Sequence, residues 1–219
     1  MKKYFEILKK CPLFFDIEEE KLDVMLSCLG AKVDVFDKKY TVMAEGSSAK
    51  YIGIVLSGSV QIEQTDYYGN RSILSAVYAG DVFGEAFACC GTVSLPISVV
   101  ATEESEIMFI DCTHILHTCR NNCSFHNQLI FNLMKDIASK TVLFHQRIEI
   151  ISKRSTREKL LSYLNFESKK AGSSHFYIPF DRQGLADYLE VDRSGLSVQI
   201  SKLQKEGRIY CKKNYFELY

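Results

Sequence analysis

The chain has 219 residues, of which 47% are hydrophobic and 25% charged, with a formal net charge of zero. That length suits one large domain or two small ones, each with its own core. No run approaches the ~18 apolar residues of a membrane-spanning helix. The opening MKKYFE soon meets Lys9, Lys10 and Cys11, so it lacks the apolar stretch of a secretory signal; the reading is a cytoplasmic chain with no membrane partner.

The charge is unevenly spread. Residues 152–219 hold 13 Lys/Arg against 8 Asp/Glu, and the remainder holds 14 against 19. A basic final third on an acidic body suggests that only the final third meets an anionic partner. Eight cysteines occur without a C-x-x-C pair, which reads as free thiols in a reducing compartment.

In chain order, residues 1–29 read as helical, with Phe14, Ile17, Leu22, Met25 and Leu26 roughly on one face. From about 31 to 110 the texture changes to short β-rich runs such as YIGIVL (51–56), VQIE (60–63), SILSAV (72–77) and IMFI (107–110). Turn signals at Gly46, Gly58, Gly69 and Gly80 separate them, which predicts an antiparallel barrel or sandwich. Within it, GDVFGEAFACCGTVSLPI (80–97) opens like a phosphate cradle, yet its loop carries no Arg or Lys.

Between Pro96 and Gly172 there is neither Gly nor Pro. Ile130, Met134, Ile137, Thr141, Phe144, Ile148 and Ile151 recur at alternating steps of four and three, the seam of a long helix over 124–153 that a twin could cover. The alternative is a helix lying on its own barrel. Ser155 and Glu158 then form a capping-box pattern that opens a new helix.

The stretch 181–219 is the most informative. Leu185, Ala186 and Leu189 make the buried face of a short helix, the turn Glu190-Val191-Asp192 follows, and Leu196, Ile200 and Leu203 line a second helix. A hairpin with a Lys212-Lys213-Asn214 turn completes a winged helix-turn-helix. Arg193, Ser194, Ser197, Val198 and Gln199 stand on the helix where base edges are read, Arg182, Lys202, Lys205, Lys212 and Lys213 suit phosphates, and Gln183 is a further candidate DNA contact.

These pieces together resemble the CRP/FNR family of bacterial transcription regulators along nearly the whole chain. They are CPLFFDIEEEKL (11–22), VLSGSV (55–60), GDVFGE (80–85), the long helix, and LADYLEVDRSGL (185–196) within the final segment. The resemblance implies an α+β fold: an antiparallel, jelly-roll-like β-barrel with flanking helices over 1–123 as sensor, a dimerisation helix over 124–153, and a winged helix-turn-helix over 154–219. It also implies a homodimer on a near-palindromic double-stranded operator, RNA polymerase as a further partner, a small-molecule effector, and no catalysis.

Two departures matter. Members that bind cyclic AMP hold its phosphate with an Arg-Ser pair in the loop after Gly-Glu, where this chain has Leu95-Pro96-Ile97. The hydroxyl residues that meet adenine fall near Leu143 and Phe144. The effector pocket expected from Gly84, Glu85, Ala86, Leu95, Pro96, Ile97, Leu143 and Phe144 therefore disfavours cyclic AMP, and its effector is unassigned. Val198 stands where many members carry an Arg, so the operator should differ from the usual half-site.

Other sensors draw less support. Cys11 and Cys28 alone cannot supply the N-terminal cysteine group of an iron–sulfur cluster. His114, His117, Cys119 and Cys123 are weak metal candidates, more simply read as small buried thiols and surface histidines. No residue selects a haem site. An effector-independent DNA binder is the remaining alternative, and no nucleophile or metallohydrolase motif points to an enzyme.

Overall fold

The computed structural model describes residues 2–68, 71–116 and 124–219. Two compact units, 1–139 and 140–219, divide the chain, and the division falls inside its longest helix.

The first unit begins with the helical stretch expected over 1–29, divided into short pieces. A 3-10 turn at Lys2–Tyr4, α1 (Phe5–Leu8), a second 3-10 turn at Pro12–Phe14 and α2 (Glu19–Cys28) follow one another. Pro12 has no N–H to continue a helix, and Asp16 adopts a left-handed φ of 58°, so the chain turns twice before α2. Phe14, Leu22, Met25 and Leu26 are all buried, so the expected apolar set survives this break.

Eight strands follow: β1 (Lys32–Phe36), β2 (Thr41–Met43), β3 (Tyr51–Ser57), β4 (Ser59–Thr65), β5 (Arg71–Tyr78), β6 (Val82–Phe83), β7 (Ser98–Ala101) and β8 (Ser105–Asp111). They form two four-stranded antiparallel sheets, ordered β1-β8-β3-β6 and β2-β7-β4-β5. This is the antiparallel architecture that the strand spacing predicted.

Strand β3 shows how sequence sets the layers. Five consecutive residues, Ile52 to Leu56, are buried because both faces of the strand are covered. Side chains alternate across a strand. Ile52, Ile54 and Leu56 join the core beneath the helices, with Leu8, Phe14, Leu22, Met25 and Leu26. Val55 joins the second core between the sheets, with Val60, Val77, Phe83, Leu95, Ile97, Val99 and Ile107. Strand β8 repeats the pattern, sending Met108 and Ile110 to the helical side and Ile107 to the sheet side.

Helices α3 (Glu85–Cys90) and α4 (Cys112–Leu116) flank the sheets, and α5 (Ser124–Ile151) runs for 28 residues, about 42 Å at 1.5 Å per residue. In its first half, Leu129 and Leu133 are buried with α1 and α2. The buried Asn132 amide donates to the carbonyls of Leu13 (3.1 Å) and Phe15 (2.7 Å), fastening α5 to the turn before α2.

The second unit holds the end of α5, then α6 (Thr156–Ala171), β9 (His175–Tyr177), α7 (Arg182–Leu189), α8 (Arg193–Lys205), β10 (Ile209–Lys212) and β11 (Tyr215–Leu218). The capping box is formed: the Glu158 N–H donates to Ser155 Oγ (3.2 Å) and the Ser155 N–H to Glu158 Oε2 (3.1 Å). Helix α6 then runs to a left-handed Gly172. The three strands pair antiparallel in the order β10-β11-β9. Ile150, Leu160, Tyr163, Leu164, Leu185, Ala186, Leu189, Leu196, Ile200, Leu203 and Phe216 build one core.

Gly53 on β3 tests the packing between the sheets. A Cβ there would lie 2.1 Å from the Phe83 ring, itself in the core. Gly53→Ala should therefore destabilise the first unit by about 1–3 kcal/mol, as overpacking does. Urea unfolding of the variant measures this, and adding Phe83→Leu should recover part of the loss.

Candidate nucleic-acid interface

Helix α8 has its orientation fixed from both ends and from one side. Leu196, Ile200 and Leu203 recur at steps of four and three and are fully or nearly fully buried. The small Ala186, wholly buried, is what α7 offers at their contact. At the start of α8, Asp192 caps the helix: Oδ2 accepts the Gly195 N–H at 2.8 Å and also accepts the Ser194 hydroxyl. These bonds, the Ser194 one foremost, hold the Asp192 carboxyl below its usual pKa.

The turn between the helices is equally determined. Helix α7 is capped by Asp181, whose Oδ1 accepts the Gly184 N–H at 2.7 Å. It ends on Glu190 in the left-handed region, φ 53°. The Lys159 ammonium, from α6, donates to the carbonyls of Leu189 (3.2 Å) and Glu190 (3.3 Å), placing a cation at a helix C-terminus. At the far end of α8, the Arg157 guanidinium grips the Glu206 carboxylate with two bonds, of 2.9 and 2.5 Å. The Gln204 amide donates to the Cys211 carbonyl at 3.2 Å, which ties α8 to the wing. Neither Lys159 nor Arg157 was singled out from sequence, because their partners lie tens of residues away.

With one face buried, α8 shows solvent the opposite one. Arg193, Ser194, Val198, Ser201, Lys202 and Lys205 are exposed. Val198 is 51% exposed, an unusual place for an aliphatic side chain on a solvated helix. Ser197 and Gln199 are half-buried. Ser201 is an addition to the expected set; it lies four residues after Ser197, and its hydroxyl donates to the Ser197 carbonyl at 3.0 Å.

The remaining expected residues divide. Lys212 and Lys213 are exposed at the hairpin tip, and Lys213 takes a left-handed φ of 57°. Gln183 is exposed, but its amide donates to Asp187 at 2.8 Å. Arg182 is half-buried and turned toward the wing, with Nη2 3.5 Å from Cys211 Sγ.

The expected effector pocket is drawn differently. Leu95 and Ile97 point into the core between the sheets, while Ala86 and Pro96 are exposed. Gly84, at φ 79°, opens α3, and Glu85 in its first turn is only 6% exposed. Leu143 and Phe144 lie exposed on the part of α5 that belongs to the second unit. Among the described residues, the buried polar or charged side chains of the first unit are Ser59, Glu63, Glu85, Ser105, His126 and Asn132; none is Lys or Arg.

The seam of α5 also shifts. Ile130 and Ile137 pack against the first unit's own core. The exposed stripe instead runs through Phe131, Met134, Ala138, Thr141, His145 and Ile148, again at steps of three and four. Phe144 is 58% exposed at its margin. Among the described residues no group of three or more His, Cys, Asp and Glu could hold a metal. The His114 ring bonds the Leu29 carbonyl at 2.9 Å, while His117, Cys119 and Cys123 lie outside the described residues.

Comparison with known proteins agrees with this architecture. Residues 33–122 match the cyclic nucleotide-binding domain family. A probable transcriptional activator of Rhizobium leguminosarum bv. viciae is 25% identical over 77% of this chain and 69% of its own length. Residues 33–122 are thus similar to cyclic nucleotide-binding domains, and the chain as a whole is similar to a transcriptional activator. Its fold is shared with the c-di-GMP responsive global regulator CLP of Xanthomonas campestris, at 15% identity, a TM-score of 0.66 and coverage of 92% of this chain and 99% of that one. It is shared too with CprK complexed with OCPA, at 14% identity, a TM-score of 0.70 and coverage of 91% and 89%. Among the described residues, no helix is long and apolar enough to cross a membrane.

The cap at Asp192 gives a pH prediction. A carboxyl whose pKa is lowered by folding stabilises the fold above the ordinary carboxylate range, and that contribution is lost as pH falls through the lowered value. Asp192→Ala should reduce the thermal midpoint at about pH 7, and the gap between variant and parent should close toward about pH 3. Calorimetry across that range reads it.

Proposed function

We propose that the protein is a homodimeric, sequence-specific DNA-binding regulator whose α8 enters the major groove. The observation that carries this reading is the exposed face of α8. It presents Arg193 at the helix start, a run of hydroxyls, the apolar Val198, and Lys202 and Lys205 toward the end. Arg193 can fork onto guanine O6 and N7, and Val198 can touch a thymine methyl. Lys212 and Lys213 on the wing add sequence-independent phosphate contacts.

The apolar stripe on α5 supports a dimer. Phe131, Met134 and Ile148 each leave more than half their surface in water on one side of a helix, and a second copy would cover them in heptad register. Two copies place two recognition helices about one DNA turn apart, ~34 Å, on a near-palindromic site.

The effector of this reading is not a cyclic nucleotide. The region between the sheets is filled with apolar side chains, and the buried charged groups of the first unit are the carboxylates Glu63 and Glu85. An anionic phosphate brought there would find, among the described residues, no buried Lys or Arg to offset its desolvation.

Two experiments test the proposal. Using duplex DNA that the protein selects from a random pool, Arg193→Ala should lose about 1–3 kcal/mol of specific binding and relax one base position. Lys213→Ala should weaken selected and random duplexes alike and flatten the salt dependence. Equal loss on both duplexes for Arg193→Ala would remove its base-reading role. Ile148→Glu, which places like charges across the stripe, should sediment as a monomer with its α8 core intact; a surviving dimer would move the interface elsewhere.

A further inference from the structure

The first unit contains a pair of thiols that DNA binding does not use. Cys89, near the end of α3, and Cys112, at the start of α4, lie 23 positions apart in sequence, yet their sulfurs approach to 3.4 Å. Both belong to the region where the helices meet the first sheet: Cys112 is 2% exposed within that core, and Cys89 is half-buried against it.

The two sulfurs are not equivalent. Either S–H can donate across this contact, and the bond to Cys112 holds the Cys89 thiol below its usual pKa despite its partial burial. The same bond, then burial, pushes the Cys112 thiol up. One sulfur is therefore reachable and inclined to be a thiolate, while its neighbour is enclosed and protonated, an asymmetry suited to an attacking and a resolving cysteine. Cys90, next in sequence and exposed, is a poorer partner for Cys89, since a bridge between adjacent residues strains the backbone.

We propose that Cys89 and Cys112 form a hydroperoxide-oxidised modification site within the first unit. Cys89 thiolate attacks one peroxide oxygen, the O–O bond breaks, hydroxide leaves, and Cys89 carries a sulfenic acid. Cys112 gives its proton to that hydroxide and its sulfur attacks Cys89 sulfur, breaking the S–O bond; the departing hydroxide takes up the proton released with the first thiolate. In sum, two thiols and one hydrogen peroxide yield one disulfide and two waters, with sulfur oxidised and peroxide reduced. The bridge would close the loop that carries Leu95 and Ile97, fastening α3 to the end of β8. A dithiol reductant reverses it.

The test uses the full-length reduced protein, hydrogen peroxide as probe, and peptide mass spectrometry without reduction; it needs no DNA, so its result is independent of the DNA-binding reading. The expected main product is a linked pair of peptides carrying Cys89 and Cys112, lighter by two hydrogens and separated by dithiothreitol. With dimedone present, Cys112→Ser should accumulate about tenfold more Cys89 adduct than the parent, because its sulfenic acid has no resolving thiol. The parent protein alone decides the matter if that variant folds poorly. A main product linking Cys89 to Cys90, a link between two chains through exposed Cys28, or oxidation of Cys28 and Cys90 with Cys89 untouched would overturn the proposal.

Discussion

The burial of Leu196, Ile200 and Leu203 is the constraint from which the candidate nucleic-acid interface follows. A helix of 13 residues with three core side chains at steps of four and three has one rotation about its axis that satisfies them. Once that rotation is set, Arg193, Val198, Ser201 and Lys202 face outward without any further interaction to place them. Ala186 makes the approach of α7 possible, because any larger side chain at a position with no exposed surface would push the helices apart. The polar bonds around the pair are refinements of this arrangement. Asp181 and Asp192 start the helices, Lys159 neutralises the end of α7, and Arg157 holds the end of α8.

The first unit obeys a different constraint. Its central strands β3 and β8 are covered on both faces, so their side chains supply two cores at once. This leaves little variation in what the space between the sheets contains. Leu95 and Ile97 enter it from the loop after α3, and Gly53 is small because the Phe83 ring occupies the place of its side chain. A domain similar to cyclic nucleotide-binding domains thus encloses an apolar interior between its sheets.

Helix α5 shows why a heptad in a sequence is not yet an interface. Ile130 and Ile137 satisfy the seam pattern but are taken up by the unit's own core, so the exposed stripe begins one residue later, with Phe131 and Ala138. Two overlapping apolar registers exist in the same helix, and periodicity gives them equal standing. Only the position of the neighbouring helices α1 and α2 chooses between them. The same reasoning covers the N-terminal segment, where the apolar residues were legible but Pro12 and the left-handed Asp16 divide the helical stretch into several short pieces.

The sequence by itself determined the antiparallel strands, the long helix free of Gly and Pro, the capping box at Ser155 and Glu158, and the paired helices with their wing. The helix, the capping box and the helix pair rest on contacts between residues close in the chain, and the strands show in local alternation and turn signals even where their partners, such as Lys32 and Phe109, lie far apart. The tertiary structure alone decided which thiols meet, which half of the α5 seam stays exposed, how Arg182 turns toward Cys211, and which cations close the ends of α7 and α8. Those outcomes depend on partners tens of residues apart, whose meeting is fixed by how the two faces of each sheet and helix are buried and not by any pattern along the chain.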